Sequence, residues 1–215
     1  MSTLTKLALG LLGAVRTRPA EGASRVTIRL PAPDRTGGAP LMQALAMRQS
    51  SREFDRRPLT RQQLSNVLWG AFGVNRTRGH GRTAPSAVNA QEIEVYAALP
   101  EGLYLYDPDG HSLERVLAVD ARPLTGRQEF VDDAPVDLVY VADYSHMTLI
   151  SPADRERYAA ADAGFIGENV YLVCASEGLA TVVRGLIDRD ALHRAMGLRQ
   201  DQHIVLAQTI GYPRA

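Results

Sequence analysis

One stretch constrains the fold more than any other. Ser151-Pro152-Ala153-Asp154 has the chemistry of a helix start, with serine at the N-cap and proline at the first helical position, and Gly178 is the next natural stop. Within that span Ala160, Ala163, Gly164 and Gly167 form a narrow face of small side chains. Small side chains let two backbones approach closely, so this helix is expected to be central and heavily packed. The face fits packing inside one core, and it fits equally well a helix that pairs with a second copy of the chain.

Helices and strands are interleaved around it without a clean βαβ rhythm. Val26, Ile28 and Leu30 alternate as a short strand, and Leu41, Ala44 and Leu45 give residues 41–48 a helical spacing. Thr60 and Gln63 make a capping-box pattern ahead of the stripe Leu64, Val67, Leu68 and Ala71, which ends between Gly70 and Gly73. Residues 73–86, rich in glycine and arginine, read as a mobile loop at the rim of a site. Ile93, Val95 and Ala97 alternate as a strand, and Leu103–Tyr106 with the turn Asp107-Pro108-Asp109-Gly110 read as strand, turn and return strand. Strands are expected over 136–141, 179–183 and 203–210, with a short helix over 188–196 stopped by Gly197. This order favours an α+β fold with a mixed central sheet flanked by helices. One domain over 25–215 follows an N-terminal segment, 1–24.

Composition removes several kinds of chemistry. Hydrophobic residues make up 45% of the 215 and the formal net charge is zero, which suits a globular core and argues against a nucleic-acid binder. Lys6 is the sole lysine, so a Schiff-base amine and a P-loop lysine both have no candidate in the body of the chain. No G-x-G-x-x-G follows a strand, which leaves a Rossmann site without support. Cys174 stands alone among Val170, Tyr171 and Val173, where a thiol acts as a small core hydrophobe. The five histidines show no metal-ligand spacing, and no metal is expected. Leu7–Val15 is an apolar run too short to span a bilayer, and Arg16 and Arg18 follow it where a signal peptide is normally uncharged. A packing helix is the preferred reading of that run over a signal-like one, with a cytoplasmic protein and no membrane partner as the expectation.

Three segments can carry function. In extended backbone Arg48, Ser50 and Arg52 project to one side, and in a helix Arg48 and Arg52 share a face; both converge two guanidinium groups on a point suited to a phosphate. An arginine-rich solvated surface would look the same. Pro85-Ser86-Ala87-Val88-Asn89-Ala90-Gln91 precedes a strand and offers a hydroxyl and two carboxamides, each able to donate and accept, though such residues are also ordinary in loops. Arg184-Gly185 closes a strand where glycine permits a flat ligand to approach, and Arg214 near the terminus is a further candidate for a phosphate.

Taken in this order, the three segments resemble the nitroreductase superfamily of flavoenzymes. Arg48, Ser50, Arg52 and Phe54 match its Arg-x-Ser-x-Arg/Lys-x-Phe signature, with Gln49 between them. Pro85, Ser86, Asn89 and Gln91 match its second segment, and Arg184 and Gly185 its later strand end. Leu30-Pro31-x-Pro33, Leu68–Gly73, Arg82–Ser86, Gly102-Leu103-Tyr104 and Gly211-Tyr212-Pro213 look like the thiazole/oxazole-forming dehydrogenase branch. In that branch a small residue and Leu-Tyr-Pro usually follow Pro-Ser-Ala, whereas Asn89-Ala90-Gln91-Glu92 is closer to classical nitroreductases.

The resemblance implies an intertwined homodimer with FMN at its interface. Arg48, Gln49, Ser50, Arg52 and Arg214 would serve the phosphate end, and Pro85, Ser86, Asn89, Gln91, Arg184 and Gly185 the ring. It implies NAD(P)H as reductant, a ping-pong hydride transfer through flavin N5, and a nitroaromatic, quinone or related small acceptor. The alternatives are oxidation of an azoline or other C–N bond in a biosynthetic pathway, or a non-catalytic flavin-binding module. No side chain is required as an acid, base or nucleophile.

Overall fold

The computed structural model describes residues 26–76 and 81–214. The run Leu7–Val15 lies outside them. In chain order the elements are β1 (Thr27–Arg29), α1 (Leu41–Met47), β2 (Phe54–Asp55), α2 (Arg61–Phe72), β3 (Val74–Arg76), β4 (Gly81–Arg82), β5 (Ile93–Leu99), β6 (Gly102–Asp107), β7 (Ser112–Leu117), β8 (Val136–Asp143), α3 (Arg155–Glu177), β9 (Ala180–Arg184), α4 (Arg189–Met196) and β10 (Gln202–Pro213).

Eight strands form the central sheet in the order β1-β7-β6-β5-β8-β10, with β9 and β2 sharing the far side of β10. The α+β class and the helices flanking a central sheet are as the sequence predicts. The pairings differ from the expected mixed sheet, because all of those described are antiparallel. The reason is the last strand. β8 and β9, linked through α3, run in the same direction, but β10 inserts between them and pairs antiparallel with both.

The strand β8 shows why this sheet needs two helical layers. All eight of its residues are buried, so neither face can be left to water. Leu138 and Tyr140, with Val95 and Ala97 of β5, face the α2–α3 layer, where Val67, Leu68, Ala163, Ile166 and Val170 complete the core. Val139 and Val141, with Tyr96 and Ala98, face the other way onto Leu192 and Met196 of α4. The period of two along each strand thus sorts the apolar residues into two cores.

The helix boundaries follow local chemistry, with one shift. The expected capping box closes α2: Thr60 Oγ1 accepts the Gln63 N–H and Gln63 Oε1 accepts the Thr60 N–H. Gln63 Oε1 also accepts the Tyr212 hydroxyl at 2.6 Å, which ties this helix start to β10. Gly70 allows α2 to lie against α3, since a Cβ there would stand 2.5 Å from a Val173 methyl. The long helix starts at Arg155 rather than just after Ser151. Ser151 donates its hydroxyl to the Asp154 carboxylate instead of accepting a backbone N–H, so residues 151–154 form a turn ahead of the helix. Its other end is as expected: Gly178 takes φ 68°, a left-handed position that suits glycine.

The small-residue face of α3 divides in two. Ala163 and Gly167 are buried against the sheet, and a Cβ on Gly167 would meet a Val183 methyl at 3.1 Å. Ala160 and Gly164 lie on the exposed side, together with Phe165, which is 49% exposed. The segment expected as a loop over 73–86 contains a small hairpin, β3 with β4. Trp69 Nε1 donates to Val74 O and Thr83 donates to Gly73 O and Trp69 O, which holds the hairpin base on the end of α2.

Candidate active site

The Arg48–Arg52 segment is extended, directly after α1 ends at Met47. Its anchor is Tyr171 on α3. The Tyr171 hydroxyl lies 2.7 Å from Ser50 Oγ and accepts the Val183 N–H at 3.0 Å, so one phenol joins this segment to β9. The Arg48 guanidinium sits 5.4 Å from the centre of the same ring, a cation–π arrangement. Ser51 adds a backbone bond from its N–H to Thr181 O at 3.0 Å. Gln49 and Ser51 line a cavity of about 440 Å³ with Tyr171, Thr181 and Pro213.

Neither Arg48 nor Arg52 has a carboxylate partner among the described residues, whereas Arg56, Arg57, Arg82, Arg122 and Arg199 each form an ion pair. Arg214 reaches the same neighbourhood because β10 pairs with β2 and the Arg214 N–H donates to Glu53 O. Its guanidinium contacts Asp133 at 3.3 Å, in a pair exposed enough to be exchanged for a stronger anion at little cost.

The second segment is held at the other half of α3. Asp162 Oδ2 accepts the Ala87 N–H at 2.8 Å. Ser86 Oγ accepts the Gln91 N–H, Asn89 Oδ1 accepts from Gln91 Nε2, and Gln91 Oε1 accepts from Arg82 Nε. Val88, Asn89 and Gln91 have φ of 49°, 55° and 51°, so three residues with side chains take a left-handed backbone within four positions. Valine in particular resists this conformation, and such strain persists only where surrounding contacts over-determine it. Pro85 and Asn89 are exposed at the edge of this turn. Asp162 and Tyr171 are nine residues apart, about 13 Å along a helix. The structure therefore ties the two predicted segments to one helix, two and a half turns apart and on opposite edges of its buried face.

Gly185 is exposed, with open space where a Cβ would be. Arg184 requires a correction. Its guanidinium does not face a ligand site but lies inside the protein, donating to Asp137 Oδ1 at 2.7 Å, to Thr209 Oγ1 and to the carbonyl and hydroxyl of Thr125. The pair is 2% and 0% exposed at its side chains. Burial raises the Asp137 carboxyl above the usual carboxylate range, and the Arg184 charge pulls it back down. Strand alternation explains the misreading: a side chain at the strand end that precedes an exposed glycine points back into the structure.

Tyr171, Asp162 and Arg82, which hold these two segments, were not marked as site residues by their sequence pattern. Asp162 had a visible signal, a lone carboxylate in the small-residue run Ala159–Gly164. Cys174 is buried, and burial pushes its thiol up, as fits a core residue. Among the described residues no cluster of ligating side chains could hold a metal ion. An open groove of about 1050 Å³ past Arg29, Trp69 and His111 includes none of the predicted residues. His111 is occupied there by Ser65 Oγ and the Tyr106 hydroxyl at 2.7 and 2.9 Å.

Arg184→Met strands the buried Asp137 carboxylate and is expected to cost ~3–5 kcal/mol in denaturant unfolding. Adding Asp137→Leu should recover most of that loss, because it removes the orphaned charge. A single variant as stable as the parent would contradict the pairing.

The sequence profile of the Nitroreductase family matches residues 45–212. A candidate nitroreductase of Methanocaldococcus jannaschii is 31% identical over 170 residues, which is 74% of this chain and 85% of that one. The crystal structure of a candidate nitroreductase from Ralstonia eutropha JMP134 superposes with a TM-score of 0.85 at 52% identity, covering 92% of this chain and 94% of that one. The NADPH:FMN oxidoreductase of Vibrio harveyi, solved with NAD+, shares the fold with a TM-score of 0.61 at 18% identity over 81% of this chain and 69% of that one. With the matched span taking in the Arg48–Arg52 segment, the turn at 86–91 and the whole of α3, the chain belongs to the nitroreductase family of flavin-type oxidoreductases.

Proposed function

We propose that the chain binds FMN, with its phosphate on Arg48, Ser50 and Arg52 and its ring at the turn 86–91. The observation that carries this reading is the pair of anchors, Tyr171 and Asp162, which tie a doubly cationic segment and a carboxamide-rich turn to opposite edges of the buried face of one helix, nine residues apart. The residues fit the group. Two guanidinium groups that have no carboxylate partner among the described residues match a phosphate dianion, with Gln49 beside them and Arg214 close enough to join on leaving Asp133. Ser86, Asn89 and Gln91 match the alternating donors and acceptors of a pyrimidine edge, and Gly185 leaves room for a flat ring. Arg184 contributes rigidity to that strand end rather than a ligand contact.

When bound, FMN supplies two-electron hydride chemistry at its N5. The side chains of the chain bind and orient it, and donors near the pyrimidine edge stabilise negative charge that develops there. The reductant in this reading is NAD(P)H and the acceptor a nitroaromatic, a quinone or a related small molecule, in a ping-pong cycle. The Vibrio harveyi structural relative, an NADPH:FMN oxidoreductase, supports the nicotinamide half of this reading.

A homodimer completes it. Met42 on α1 is 76% exposed, and Leu41, Leu45 and Phe165 are also exposed on α1 and α3, which pack on each other through Ala44. Exposed apolar side chains on the two helices that adjoin the Arg48–Arg52 segment suit a second copy of the chain. Sedimentation equilibrium is expected to give twice the chain mass; a single-chain mass at micromolar concentration would contradict it.

Purified protein should be yellow, or turn yellow on adding FMN, and anaerobic NADH or NADPH should bleach the flavin band. A band that neither nicotinamide bleaches would shift the reading to a dehydrogenase drawing electrons from a C–N bond. Arg52→Ala is expected to weaken FMN binding by ~1.5–3 kcal/mol in fluorescence titration. Unchanged affinity would remove Arg52 from the phosphate site.

A further inference from the structure

Glu92 immediately follows the strained turn and is the one buried carboxylate among the described residues with both oxygens lacking a hydrogen-bond partner. Its side chain is wholly buried. Leaving two acceptors and a charge unsolvated is costly, so a group in this setting needs a donor. The neighbour that raises its proton affinity is Asp162, itself buried, on the face of α3 between Ala159, Ala163 and Ile166. Asp162 already accepts the Ala87 N–H with one oxygen. Two carboxylates enclosed together cannot both stay charged without another cation, and a single proton between them satisfies both.

We propose that Glu92 and Asp162 are positioning residues that share one proton, and that this proton clamps both ends of the turn 86–91 to α3. One end is Ala87, through Asp162; the other is Glu92 itself, one residue after Gln91. Between these ends lie the left-handed Val88, Asn89 and Gln91, which need such restraint to keep their backbone. Loss of the proton sets two buried anions against each other, and the turn is released from the helix. That this release matters for a ligand rests on the FMN reading; the clamp itself does not.

The titration supports the geometry. Burial foremost, opposed by its own backbone amide and reinforced by the Asp162 carboxylate, raises Glu92 from 4.5 to about 7. A folded-state value above the unfolded one means the folded chain holds more protons between about 4.5 and about 7, so this group's contribution to stability is complete below that window and is lost as pH rises through it. Other charged or titratable groups surround the pair. Tyr144, after β8, has its phenol raised mainly by burial, then by Glu156 against Arg155, with a smaller push from Glu92. Asp143 donates its backbone N–H to Glu92 O, while its carboxylate is engaged by Ser145 and Arg199. None of these supplies a donor to the Glu92 oxygens.

The test uses the full chain labelled for NMR, without ligand. The Glu92 carboxyl carbon and the Ala87 amide are expected to titrate together near neutrality. In Glu92→Gln, whose carboxamide donates to Asp162 with no proton to lose, the Ala87 amide should be indifferent to pH; Asp162→Asn gives an independent check, since it should return Glu92 to a single, uncoupled titration. In parallel, FMN affinity should fall about tenfold or more between about pH 6 and about pH 8.5 in the parent and stay level in Glu92→Gln. A Glu92 carbon that titrates in the ordinary carboxylate range overturns the shared proton. An Ala87 amide that ignores pH in the parent, or follows it equally in Glu92→Gln, overturns the clamp. Joint titration in a protein that binds no FMN supports the clamp and removes the flavin reading.

Discussion

The close seat of α3 on the sheet is the contact from which the rest of the molecule takes its positions. Ala163 and Gly167 bring the helix backbone down until Gln208 of β10 donates to Gly167 O, and the same side chain donates to Thr181 Oγ1 and accepts the Tyr140 hydroxyl. This buried polar network is satisfied from helix and three strands at once, which fixes the height and rotation of α3 over β8, β10 and β9. Fixing the rotation fixes where Asp162 and Tyr171 emerge. The two anchors of the candidate site are therefore consequences of core packing, and a larger residue at position 167 would displace both together.

Arginine plays two separable parts on this scaffold. Inside, Arg184 meets Asp137, Thr125 and Thr209, and every contact is to the protein's own groups. Outside, Arg48 rests on the Tyr171 ring and Arg52 stands in the open, with no carboxylate among the described residues to neutralise either. The difference is electrostatic as much as spatial: a paired guanidinium in a dry interior is structural, while unpaired ones on an anchored segment create a standing attraction for an anion. The almost complete absence of lysine is consistent with that use, because a planar fork holds a phosphate in register where an ammonium only attracts it.

Periodicity made most of the fold legible. Leu64, Val67, Leu68 and Ala71 gave α2 and its buried face, Thr60 with Gln63 its start, and Gly178 the end of α3. The Arg48–Arg52 segment was legible as a candidate anion site, and its course outside any helix is one of the two forms its spacing allows. Three things could not be read. The insertion of β10 between β8 and β9 depends on long-range pairing that no local pattern encodes. The inward turn of Arg184 depends on which face of the sheet it shares with Asp137 and Thr209, a matter of the β9–β10 register. The left-handed Val88 defies its own propensity, in a turn held by contacts from Asp162, Ser86 and Arg82. Such tertiary overrides of local preference collect at sites where a ligand must be positioned.

If one end of the site grips a phosphate and the other a ring, FMN and riboflavin, which share the ring and differ in the phosphate, must bind very differently. Fluorescence-quenching titrations of the purified protein with each should show FMN bound at least about a hundredfold more tightly, the equivalent of two charge-assisted hydrogen bonds at ~1.5 kcal/mol each. Equal affinities for the two would show that Arg48, Ser50 and Arg52 do not hold a phosphate, and the account of the site would fail.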